Sequence, residues 1–140
     1  MRRAVLVALV VAAAGCGTKD STLSPACTTD TASITRALQD APAPVRLPDG
    51  TPLSECLSKA DTDAELQSFG ALITEVADDL ADRGDAVRLG YLIGAARRGA
   101  AKTNGVGLEL EHRLEISARR LAGGDEAQLE RGVRAGARTG

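Results

Sequence analysis

The chain has 140 residues, a formal net charge of −2, one histidine, three cysteines and only two aromatic side chains, Phe69 and Tyr91. That length fits one domain, and near-neutral charge with almost no stacking aromatics argues against a nucleic-acid partner. No GxSxG, HExxH or glycine-rich phosphate loop occurs, so nothing implies a catalytic residue, a cofactor or a metal.

In chain order, Arg2 and Arg3 precede an apolar run over residues 4–14, and Ala13-Ala14-Gly15 then leads into Cys16. Eleven apolar residues make a helix about 16 Å long, against a bilayer core of about 30 Å. The run is therefore too short for an ordinary transmembrane helix and reads as a signal peptide over 1–15. A charged start, an apolar stretch and small residues before a cysteine resemble the lipobox of bacterial lipoproteins. The resemblance implies that Cys16 receives a diacylglyceryl group and becomes the first residue of the mature protein. That modification would meet the need for more than one acyl chain in stable anchoring. The box carries Ala13 where the family most often has Leu. The alternative is ordinary cleavage near Ala14, which gives a soluble secreted protein.

Cysteine parity bears on this choice. An exported chain with three thiols leaves one over; if Cys16 carries lipid, Cys27 and Cys56 are free to pair. A bridge between them closes a loop of roughly 30 residues and stabilises by about 3 to 4 kcal/mol on chain-entropy grounds. Two cysteines without a CxxC spacing or a nearby His make a poor metal site.

Residues 17–26 are small, polar and broken by Pro25, and read as a flexible tether carrying a single domain over 27–140. Thr29 or Asp30 can cap a short helix running to about Asp40, with Ile34 and Leu38 on one face. Ala-Pro-Ala-Pro stops it. Residues 45–53, centred on Pro48-Asp49-Gly50, read as a tight turn or small hairpin between extended pieces.

Thr62-Asp63-Ala64-Glu65 is a capping box. It opens a helix whose Leu66, Phe69, Ile73, Val76 and Leu80 form a stripe. Arg83-Gly84-Asp85 ends that helix and caps the next, which makes an antiparallel helical pair. The second arm runs from 86 to about 101. Its Gly90 and Gly94, one turn apart, form a flat strip where another helix can approach closely. Asn104-Gly105 marks a turn, and a third helix over about 106–121 puts Leu110, Leu114, Ala118 and Leu121 on one face. After Gly123-Gly124, residues 125 to about 135 make a last, weak helix before a Gly/Arg tail expected to fray. The fold class is all-α, a small bundle of three long helices plus short ones behind a disulfide-closed N-terminal segment.

Candidate chemistry is sparse. His112 lies among charged residues with no orienting partner and reads as solvated. Asp61, Asp63 and Glu65 alternate as calcium ligands do, but Leu66 and Leu72 stand where an EF-hand needs Gly and Glu. Residues 20–85 carry four basic and thirteen acidic side chains, residues 86–140 ten and six. The favoured use of that asymmetry is internal, with charges of both signs meeting across the bundle. A second use is contact of Arg119, Arg120, Arg131, Arg134 and Arg138 with anionic lipid or an acidic envelope polymer. The sequence thus reads as an exported cell-envelope protein, held at the cell membrane through Cys16. It would be a binding or scaffolding module rather than an enzyme, with an envelope protein as possible partner. Gly90, Gly94, Arg119 and Arg120 are the candidate contacts. The alternative function is carriage of a small apolar ligand between helices.

Overall fold

The computed structural model describes residues 22–103, 105 and 107–140. Cys16 and the segment assigned to the signal peptide lie outside the described residues. Every regular element among those described is helical: α1 (Thr31–Ala37), α2 (Leu53–Lys59), α3 (Asp63–Asp82), α4 (Ala86–Ala100), α5 (Leu108–Arg119) and α6 (Glu126–Thr139), with short 3-10 turns at Pro25–Cys27 and Leu38–Asp40.

Residues 22–26, read from the sequence as part of the tether, fold onto the domain rather than hanging free of it. Leu23 is buried, and Ser24 accepts a hydrogen bond from the Ala26 amide to start the first 3-10 turn. The packed part of the chain therefore includes Leu23, four residues before the expected boundary at Cys27. Asp30 caps α1 through the Ser33 amide (2.6 Å), and Ile34 and Leu38 are fully buried. In the segment that follows, Val45 and Leu47 are buried while Arg46 is exposed. That alternation has no ladder partner. The Pro48-Asp49-Gly50 turn closes through Leu47 N to Thr51 O (2.9 Å), and no strand forms among the described residues.

The chain after that turn is helical sooner than the sequence suggests. Pro52 ends the extended stretch and α2 starts at the next residue, so a proline lacking an N–H sits where no intrahelical donor is required. Leu53, Cys56 and Leu57 share the buried face. The Cys27–Cys56 disulfide ties this helix to the 3-10 turn at Pro25–Cys27, across 29 positions of sequence.

Thr62 and Glu65 form the expected capping box on α3. Phe69, Ile73, Val76 and Leu80 are buried, with Leu66 packed against them in part. Gly84 turns the chain at φ 70°, where a Cβ would be strained. Asp85 N bonds Leu80 O (2.9 Å) and Gly84 N bonds Ala81 O (3.1 Å), the paired closure that satisfies a helix's last carbonyls. Asp85 then caps α4 through the Arg88 amide.

Helix α4 is the axis of the molecule. Residues 89–96 are all buried, as expected of a helix covered on every side, and α2, α3, α5 and α6 all pack on it. Helix α6 lies closest. The glycines of the two helices interleave: Gly90 faces Leu129 and Val133, Gly94 faces Val133 and Ala137, Gly132 faces Val87 and Tyr91, and Gly136 faces Tyr91 and Ala95. The positions rise together along both helices, so α4 and α6 run parallel, backbone against backbone. Helix α6 is consequently neither short nor frayed. It reaches Thr139, Gly140 is buried, and the Ser54 hydroxyl donates to the Gly140 carbonyl oxygen (2.5 Å). The bundle thus has four long helices, α3 to α6, not three.

Candidate functional site

The residues singled out from the sequence go to different places. Cys16 lies outside the described residues. Cys27 and Cys56 are joined and fully buried. Gly90 and Gly94 do form a strip for close helix approach, but α6 of the same chain fills it, and both are buried. A partner would have to displace α6 to reach them. Arg120 is engaged internally with Asp78 of α3, and Asp78 also accepts the Ser117 hydroxyl (2.5 Å). Arg119 is exposed at the end of α5 and is in no ion pair among the described residues.

Charge is used across the bundle as well as along its helices. Arg97 of α4 forks to Glu111 (2.8 Å) and Glu115 (2.7 Å) of α5. Its hydrogen bond to Glu115, with a second to Glu111, raises the guanidinium pKa against the opposing effect of burial. Arg88 pairs with Asp85 and donates to the Leu38 carbonyl (3.1 Å), fixing α4 to the second 3-10 turn. Asp61, Asp63 and Glu65 serve the α2–α3 junction, where Glu65 accepts from the Asp61 and Thr62 amides. His112 is exposed. Among the described residues no group of three or more His, Cys, Asp or Glu is placed to hold a metal ion.

What folding assembles instead is a cationic basin. Arg46 from the loop before α2, Arg98 from the last turn of α4, Lys102 from the turn that follows it and Arg138 from the end of α6 line one depression of about 350 Å³. The Arg98 guanidinium donates to the carbonyl oxygens of Arg138 (2.5 Å) and Ala137 (3.2 Å), a cation on the exposed carbonyls of a helix C-terminus. Glu55 is the acidic side chain on the wall, against four cations. Glu55 is joined to Lys59 (2.7 Å). Its pKa is lowered chiefly by that hydrogen bond, and Lys102 and Arg46 add attraction.

Other cations mostly have partners: Lys59, Arg83, Arg88, Arg97, Arg113, Arg120 and Arg134 are each in an ion pair. None of the four basin cations is, among the described residues. Nothing local in the sequence connects Arg98 and Lys102 with Arg46 or Arg138. With this geometry in hand, comparison with known proteins gives no assignment: no family model, no curated protein and no solved structure matches the chain.

Proposed function

We propose that this chain is a lipid-anchored protein of the bacterial cell envelope that acts by binding rather than by catalysis. The observation carrying this reading is the division of the three cysteines. Cys27 and Cys56 are joined inside the fold, which leaves Cys16, behind Ala-Ala-Gly, as the one thiol available for lipid. No helix among the described residues is long and apolar enough to cross a membrane; the attachment proposed is through Cys16. The binding role draws support from four cations gathered at one depression with no carboxylate paired to them among the described residues, since a cluster of like charge favours an external anion.

Metabolic labelling with a fatty acid, followed by detergent phase partition, tests the anchor. The wild-type chain is expected in the detergent phase and labelled, the Cys16→Ser chain unlabelled and aqueous. Equal behaviour of the two would remove the anchor.

A further inference from the structure

We propose that the basin formed by Arg46, Arg98, Lys102 and Arg138 binds the anionic phospholipid headgroups of the membrane in which the protein is anchored, an inference that rests on the anchoring read from Cys16. Three observations lead there. Among the described residues the four cations have no ion-pair partner, while cations elsewhere on the bundle mostly do, so approach of a phosphate breaks no ion pair seen there. They are also presented by fixed elements: Arg98 is held on the last carbonyls of α6, and Lys102 follows it one turn later.

Position is the third observation. Thr22 lies against the end of α2, its hydroxyl donating to the Lys59 carbonyl (3.3 Å) and to Asp61 (3.4 Å). Asp61 and Lys102 line a common depression, and Lys102 lines the basin as well. Only five residues lie between Cys16 and Thr22, a reach of at most about 22 Å. Because α4 and α6 are parallel, their C-terminal ends place the basin at this same end of the bundle. Arg119 lies at the other end, where Ala122 N bonds Ala81 O (3.0 Å) beside the α3–α4 link, roughly the 22 Å length of α4 away. A short tether therefore holds headgroups at high local concentration near the basin and not near Arg119.

Each Lys or Arg close to an anionic bilayer strengthens attraction about fivefold. The test uses residues 16–140 with Cys16→Ser, which retain every described residue and the whole core but lack the anchor. Co-sedimentation is measured with phosphatidylcholine vesicles, with and without phosphatidylglycerol. Binding is expected only with phosphatidylglycerol and is expected to weaken with salt. Arg46→Gln/Lys102→Gln should weaken it by roughly twentyfold or more, whereas Arg119→Gln/Arg131→Gln, with the same loss of charge, should change it about twofold at most. Circular dichroism confirms that each variant keeps its helices.

Equal binding to both vesicle types, or equal loss in the two double variants, would overturn the proposal. So would binding to soluble polyphosphate without binding to vesicles, which would assign the basin to an anionic polymer. Because this chain has no lipid, its failure to bind leaves the labelling result at Cys16 intact, and the two readings fail separately.

Discussion

Replacing Gly94 with alanine should destabilise the protein, although the same change at an open helical position normally stabilises it. A Cβ on Gly94 would stand 2.7 Å from Ala137 N and 3.0 Å from Val133 C, and nearer still to the Val133 carbonyl oxygen. All three atoms are backbone, so no rotamer change relieves the contact, and α6 must withdraw by about 1 Å. A gap of that size forfeits a quarter to a half of the dispersion energy along the seam. Overpacking costs about 1 to 3 kcal/mol, and contacts this short with backbone atoms put it at about 2 to 3 kcal/mol, offset by about 1 kcal/mol of helix propensity. The net loss should be about 1 to 2 kcal/mol, lowering Tm by roughly 4 to 10 °C for a domain of this size.

Gly70 supplies the contrast. A Cβ there meets only Leu110 Cδ1 at 3.5 Å and Cδ2 at 3.9 Å, ordinary contact with a side chain. Gly70→Ala should therefore be neutral or stabilise by up to about 1 kcal/mol. Thermal and urea unfolding followed by circular dichroism read both variants. A Gly94→Ala protein as stable as the wild type would refute the close parallel packing of α4 on α6.

Tyr91→Phe removes a buried hydroxyl that accepts from the Val45 amide (2.9 Å) and meets Thr139 Oγ1 (3.0 Å). The stranded amide should cost about 1 to 3 kcal/mol in the same unfolding assay; no change would mean that Val45 finds another partner. Breaking the Cys27–Cys56 bridge with Cys27→Ser/Cys56→Ser should lower stability by about 3 to 4 kcal/mol, and an unchanged urea midpoint would contradict that. The Asp49 carboxylate should titrate below its ordinary 3.8, held down first by the Ser24 hydroxyl and next by the Thr51 amide. The contribution of these bonds is present above the ordinary value and fades as pH falls through the lowered one. An NMR titration midpoint at or above 3.8 would contradict that arrangement.

Much of the fold is written locally. The Thr62 and Glu65 caps, the Gly84 turn into Asp85 and the stripe from Phe69 to Leu80 each act within a few residues, and all are found where periodicity and capping chemistry put them. Helix α2 was hidden because Pro52 looks like part of an extended turn. Leu53, Cys56 and Leu57 nonetheless have helical spacing. Helix α6 was underrated for a different reason. Gly132 and Gly136 each lower local helix propensity by about 1 kcal/mol, and what offsets them is tertiary, the approach of α4. The matching four-residue spacing of Gly90/Gly94 and Gly132/Gly136 was the available signal, and it needed the two pairs read together.

The cationic basin was less legible still. Its side chains come from positions 46, 98, 102 and 138, and no local pattern joins them. Arg119 and Arg120 are adjacent and more conspicuous in the sequence, yet Asp78, 42 positions away from Arg120, neutralises one of that pair. Which cations stay free depends on which acids the fold brings near them.

The intact mass of the native protein, taken from membranes without reduction, tests most directly that one thiol carries lipid while two are joined. The expected species begins at Cys16, bears a diacylglyceryl group or a further acylated form, and is two hydrogens lighter than the corresponding dithiol chain. A native mass matching the unmodified 140-residue chain, or a chain with Cys27 and Cys56 both reduced, would contradict the account.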